Sequence, residues 1–273
     1  MSRRPIIGVF DSGFGGLTVL RELVALIPDA DYFYFGDTVR LPYGSKSADT
    51  VARYAVGATN YLESHGAEML VVACNTATAL ALPQICASAH VPVIGVVEPG
   101  AESAASTTMS RKVSVIATDA TVSSHAYFRA LQARGIEARE KACPLLVPLV
   151  EEGWIDHPVT EQVARIYLQE AFIDGFEAAD VLLLGCTHYP LLKPLLRRVA
   201  PAHVAIVDSA ESTARVVADR LKTYPFPAPS AKERRTAPSL RFFATDSVEK
   251  FRRLGAMFLG HAVEEVQHVD LKE

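Results

Sequence analysis

The stretch VLLLGCTHYP, residues 181–190, decides how the chain is read. Apolar residues run up to Gly185; Cys186, Thr187 and His188 follow in a row, and Pro190 bends the chain away. A short unbroken apolar run bounded by turn residues fits a strand buried on both faces, as in a parallel sheet covered by helices. Pro190 suits the first turn of a helix. Cys186 then has three readings: a small buried hydrophobe, a metal ligand, or a nucleophile or base held where a strand ends.

The same unit recurs in both directions. IIGVF (6–10), YFYFG (32–36), MLVVA (69–73), VPVIGVV (91–97), KVSVIAT (112–118), HVAIV (203–207) and LRFFAT (240–245) are strand-sized apolar runs. Helical spacing of apolar residues occupies 17–28, 49–64, 75–89, 121–134, 159–173, 191–199, 211–221 and 247–258. Strands alternating with helices predict an α/β fold with parallel-rich sheets flanked by helices. VVACNTATALALP (71–83) is echoed by LLGCTHYPLLKP (183–194), and VFDSG (9–13) by IVDSA (206–210), which points to two similar α/β halves. A Pro-rich stretch, TYPFPAPSAKERRTAPS (223–239), interrupts the alternation.

Composition narrows the function. The chain has 273 residues, 49% hydrophobic and 21% charged, with a formal net charge of −4. No basic face or stripe marks a nucleic-acid partner, and KERR (232–235) reads as a solvated loop. No apolar run approaches the ~20 residues needed to span a bilayer, and PIIGVF (5–10) is too short for a signal-peptide core. The expectation is a soluble, cytoplasmic protein. Its four cysteines, Cys74, Cys86, Cys143 and Cys186, form no CxxC pair, so neither a zinc ribbon nor a thioredoxin motif is indicated. Cytosolic thiols are kept reduced, so disulfides are not expected.

Cys74 and Cys186 each sit where a strand meets a helix. Ligands bind at the carboxyl ends of parallel strands, and a helix start favours thiolate over thiol. Cys86, in an apolar helical stretch, and Cys143 read as core residues. A metal at Cys186 would have only His188 nearby, and a redox pair lacks the local motif. Two thiols approaching one ligand from opposite sides suit stereoinversion: one removes a proton, the other delivers one to the opposite face. Asn75, Thr76 and Thr187 are candidate donors to the negative charge that builds up. Blander roles stay open. Asp11 can be a helix N-cap, Thr118 and Thr121 in ATDAT (117–121) can cap a helix, and Glu152 in VEEG (150–153) can be a surface acid. DSGFGG (11–16) hints at a phosphate loop, but Thr18 falls where G-x-G-x-x-G needs glycine and no P-loop lysine follows. A small-ligand binding module with structural cysteines is the reading from another class.

Four motifs in order, GVFDSGFGGLTVLREL (8–23), YFGDTVRLPYG (34–44), VVACNTATAL (71–80) and LLLGCTHYPLL (182–192), resemble the signatures of the glutamate racemases in the aspartate/glutamate racemase superfamily. CTHYP favours the glutamate enzymes over their aspartate and hydantoin relatives. The resemblance implies an enzyme that interconverts L- and D-glutamate without cofactor or metal and supplies D-glutamate for peptidoglycan. It implies two α/β domains, 1–97 with 209–273 and 98–208, with the active site in the cleft between them. Cys74 would act on D-glutamate, assisted by Asp11, and Cys186 on L-glutamate, assisted by Glu152 and His188. Asp11 and Ser12 would face the ammonium group. Pro42, Tyr43, Gly44, Asn75, Thr76, Thr118, Thr121, Thr187 and His188 would hold the rest of the substrate. Ala120 departs from the glycine that many relatives carry in this loop. A homodimer is expected. The few residues before the first strand argue against activation by a cell-wall precursor. A racemase for aspartate or another acidic amino acid is the alternative.

Overall fold

The computed structural model describes residues 4–223 and 237–271; most of the Pro-rich stretch, including KERR, lies outside them. The first half runs β1 (Ile6–Asp11), α1 (Leu17–Leu26), β2 (Asp31–Gly36), α2 (Ala48–Ser64), β3 (Met69–Val72), α3 (Asn75–Ser88), β4 (Val93–Gly95) and α4 (Val97–Thr107). The second runs β5 (Lys112–Ala117), α5 (Asp119–Ser123), α6 (Ala126–Gln132), β6 (Glu137–Ala142), α7 (Leu146–Glu151), α8 (Pro158–Ala171), β7 (Val181–Gly185), α9 (Lys193–Val199) and β8 (Ala205–Asp208). The chain then returns through α10 (Ser209–Thr223), β9 (Leu240–Ala244), α11 (Val248–Leu259) and β10 (Val266–His268).

The strands form two sheets, ordered β10-β9-β2-β1-β3-β4 and β6-β5-β7-β8, and neighbouring strands pair parallel throughout. Alternate residues of a strand point to opposite faces, and both faces here are apolar. Met69 and Val71 of β3 join one core while Leu70 and Val72 join another. In β7, Leu182 and Leu184 enter the same core as Met69, whereas Val181 and Leu183 pack beneath α4 and α6. The facing sides of the two sheets therefore share a continuous apolar seam.

Several elements differ from the sequence reading. VPVIGVV is strand only over Val93–Gly95, and Val97 already opens α4, a helix whose Pro99 sits in the first turn where no hydrogen bond is lost. The helix expected over 121–134 is two, α5 and α6, parted by His125 in the left-handed conformation. The strand β6, EAREKA, carries charges that blunt a sheet edge, and that masks its strand character. VEEG, read as a loop, contains the end of α7. Cys86 is exposed rather than core, because it lies on the outer side of α3, while Cys143 is buried as expected.

The DSGFGG loop is a packing device. A Cβ on Gly15 would lie 2.1 Å from Thr187 Oγ1 and 2.6 Å from His188 Nδ1, so this loop seats directly against the loop after β7. Thr18 Oγ1 donates to the Thr187 carbonyl at 3.2 Å across the same seam. Gly15→Ala is expected to destabilise the protein by about 1–3 kcal/mol through overpacking. Gly57→Ala, in α2 with open space around it, is expected to be neutral or to stabilise by about 0.5–1 kcal/mol. Urea unfolding of both variants checks this, and equal stabilities would refute the packing role of Gly15.

Candidate active site

In a parallel sheet every strand delivers its chain to the same edge, and loops diverge where the strand order reverses. In the larger sheet β1 and β3 flank that point; they end at Asp11 and just before Cys74. In the smaller sheet it lies between β5 and β7, which lead into Thr118 and Cys186. The two edges enclose a cavity of about 150 Å³, with Cys74 and Cys186 both on its wall.

Cys74 caps α3, its Sγ accepting from the Ala77 amide at 3.4 Å, and Ser12 Oγ lies 3.5 Å from the same sulfur. Burial, reinforced by the nearby Asp11 carboxylate, pushes the Cys74 thiol up to about 12, so it is protonated at neutral pH. Asp11 lies behind Ser12, fully buried. Its Oδ2 accepts from the Gly13 amide at 2.8 Å, and its Oδ1 has no hydrogen-bond partner. Desolvation raises the Asp11 pKa, against the pull of His188 and the backbone amides of Gly13, Gly16 and Ser12. The cap of α1 is Gly16, so Asp11 is not a helix cap.

The opposite wall has the other polarity. His188 Nδ1 stands 4.0 Å from Cys186 Sγ and 3.4 Å from Thr187 Oγ1, while Nε2 meets Glu151 Oε1 at 3.3 Å. Burial disfavours the imidazolium, but hydrogen bonds and charge attraction from Cys186 and Glu151 win and raise His188 to about 10. Glu151 is held below the usual carboxylate range: burial opposes this, and His188 and Lys250 outweigh it. Lys250, on α11, reaches Glu151 at 3.2 Å from the other half. The His188 ring is wedged edge-on to Phe258 at 5.0 Å.

The cavity wall also carries hydrogen-bonding groups. The hydroxyls of Thr76, Thr118 and Thr121 form a triangle with sides of 3.0, 3.3 and 2.9 Å. Thr118 also caps α5, so its capping role and its place on the wall coexist. Asn75 lines the cavity, and its Nδ2 is buried without a hydrogen-bond partner.

Of the residues singled out from sequence, Ser12, Pro42, Gly44, Asn75, Thr76 and Thr187 line the cavity, as do Tyr43, Thr118 and His188. Tyr43 contributes with its hydroxyl turned away, donating to Asp37 Oδ2 at 2.6 Å. Thr121 sits behind Thr118. Glu152 requires correction. It caps the C-terminus of α7 and is exposed, whereas Glu151, one position earlier on the helix, turns inward to His188. Sequence reasoning also missed Pro144, Val147 and Pro148, which cover the cavity from the β6–α7 side. Their apolar character was the available signal, but it needed β6 to be recognised first.

Residues 7–217 match the family model described as Asp/Glu/Hydantoin racemase. The chain is 64% identical to a glutamate racemase of Koribacter versatilis, covering 99% of each. Among solved structures it is similar to a glutamate racemase isoform from Bacillus anthracis, with a TM-score of 0.90, 35% identity and 98% of each chain covered. It is also similar to the glutamate racemase of Francisella tularensis in complex with D-glutamate, with a TM-score of 0.89, 33% identity and 99% of each covered. With two sheets meeting over a cavity that both cysteines reach, the chain belongs to the Asp/Glu/Hydantoin racemase family, among its glutamate racemases.

Proposed function

We propose that this chain interconverts L- and D-glutamate with two thiols as opposed acid and base. The observation that carries the reading is the placement of Cys74 and Cys186 on the wall of one cavity, each at the switch point of a different sheet. From L-glutamate, the Cys186 thiolate takes the α-proton and the Cys74 thiol delivers its proton to the opposite face; from D-glutamate the roles reverse. One proton enters and one leaves in each turnover, so no redox chemistry is needed. The α-proton of an amino acid is a very weak acid, and its removal shifts negative charge onto the α-carboxylate. Fixed donors in a water-poor cavity stabilise that charge, and Asn75, Thr76 and Thr187 are such donors.

Asp11 assists Cys74. Glu151, in the place first given to Glu152, holds the His188 imidazolium beside Cys186. Ser12 faces the substrate ammonium with Asp11 buried behind it, and the segment Pro42 to Gly44 with Thr118, backed by Thr121, holds its other end. The two units, taken as 1–97 with 209–273 and 98–208, close on the substrate from either side. The same reading has the protein act in the cytoplasm, as a homodimer, supplying D-glutamate for peptidoglycan. Among the described residues no helix is long and apolar enough to cross a membrane.

Cys74→Ala and Cys186→Ala are each expected to lower racemisation by roughly 10²- to 10⁴-fold or more, as loss of a proton-transfer group does. Circular dichroism of glutamate measures it, and near wild-type racemisation in either variant would overturn the two-base mechanism. Aspartate, one methylene shorter, is expected to turn over roughly 10- to 200-fold more slowly.

Glu151→Gln is expected to cost roughly 10- to 100-fold in turnover through misplacement of His188, and Glu152→Gln nothing measurable. The reverse order would reinstate Glu152.

Stability should depend on pH through His188. Its pKa is raised on folding, so its contribution is complete below about 6.5 and is lost as pH climbs toward about 10. Cys74 adds a loss in the same direction only above about 9. Unfolding free energy measured from pH 6.5 to 9 should fall in the wild type and fall less in His188→Asn; parallel curves would show that His188 is not held protonated.

A further inference from the structure

Tyr127, on α6, is fully buried and has no place in the proton transfers described above. It nevertheless touches the loops of both cysteines. Its hydroxyl donates to Asn75 Oδ1 at 2.5 Å, on the residue that follows Cys74. Its ring lies against Gly185, the residue before Cys186: a Cβ there would stand 2.9 Å from Tyr127 Cε2 and 3.0 Å from Ala117 Cβ. Gly100 of α4 lies beneath, where a Cβ would be 3.2 Å from the Tyr127 oxygen. The ring is thus clamped from several elements and cannot swing.

The consequence falls on Asn75. A carboxamide has two ends of similar shape, one accepting and one donating, and a half-turn exchanges them. With Tyr127 donating to Oδ1, the amide nitrogen is the end left over, and Nδ2 is buried with no partner in the protein. A buried donor without a partner is costly unless a ligand supplies the acceptor. Asn75 stands next to Cys74 among the residues that line the cavity, and a carboxylate on the reacting carbon would be the acceptor that its buried Nδ2 lacks in the protein. A donor suits the α-carboxylate and repels the ammonium.

We infer that Tyr127 is a positioning residue for racemisation: it fixes the Asn75 amide with its N–H groups toward the substrate α-carboxylate while its ring supports the loop that carries Cys186. The inference rests on the two-thiol reading, since only there does the α-carboxylate gain charge in the transition state. Without the hydroxyl, Asn75 can turn its oxygen to the carboxylate, so the loss falls on kcat more than on KM.

The test is Tyr127→Phe, which keeps the ring against Gly185, alone and combined with Asn75→Ala. Tyr127→Phe is expected to lower kcat roughly 10-fold in both directions, with KM changed much less. In the Asn75→Ala background, Tyr127→Phe should cause no further loss, because its effect travels through the amide. Wild-type kcat in Tyr127→Phe, or an equal loss with and without Asn75, overturns the proposal. Asn75→Asp is an independent arm that leaves Tyr127 intact: it keeps the acceptor for Tyr127 but turns an acceptor toward the substrate. It should lose at least as much activity as Asn75→Ala; wild-type activity there also overturns the proposal. Wild type and Cys74→Ala run alongside. If the wild type fails to racemise glutamate, or Cys74→Ala racemises normally, the underlying reading fails; if both behave as expected and Tyr127→Phe does not, only the role of Tyr127 fails.

Discussion

Parallel pairing is the constraint on which this molecule depends. Because every strand runs the same way, every strand ends at the same edge of its sheet, and a right-handed helical crossover must carry the chain back. Two sheets built this way present two edges of loops, and an apolar seam holds those edges face to face. Cys74 and Cys186 are over a hundred residues apart in the chain, yet each needs only to follow the correct strand to reach the shared cavity. The glycines of the first loop belong to the same requirement. Gly15 lets the loop after β1 close on Thr187 and His188, and any side chain there would hold the two halves apart.

The two walls of the cavity are not electrostatically equivalent. Cys74 shares its surroundings with a buried carboxylate, and both groups are pushed toward their protonated forms. Cys186 has an imidazolium beside it, sustained by Glu151, which is itself paired with Lys250 from the other half. One cysteine therefore has a buried acid for its neighbour and the other a buried imidazolium. The chain Lys250–Glu151–His188 also spans the seam, so the charge beside Cys186 depends on the halves being together.

Much of the fold was legible from sequence because its signals are local. Strands such as VLLLG and MLVV are unbroken apolar runs, buried on both faces, and nothing else in a globular chain favours that composition at that length. The elements that escaped notice are the ones with mixed signals. The edge strand β6 carries alternating charges that engage His125, Glu170 and Asp174 across its surface. The helix α4 carries Pro99 and Gly100 in its first turn and mostly small residues after them. The helix α7 is one and a half turns long and ends in VEEG, so it reads as a loop. The strand β10 has only three residues, two of them exposed.

What the sequence alone determined was the set of chemistry-bearing residues at strand ends: a cysteine followed by short polar side chains, twice, with Asp11 after the first strand. Those follow from local chain direction and composition. What only the tertiary structure decided was which side chains face the cavity. Successive residues of a helix point about 100° apart, so Glu151 and Glu152, alike in chemistry and adjacent in the chain, differ completely in reaching His188. Tyr127 has no motif to announce it, and its meeting with Asn75 and Gly185 exists only once α6 is packed across the seam. Local sequence sets what a segment is, while the direction and partners of its side chains depend on elements far away in the chain.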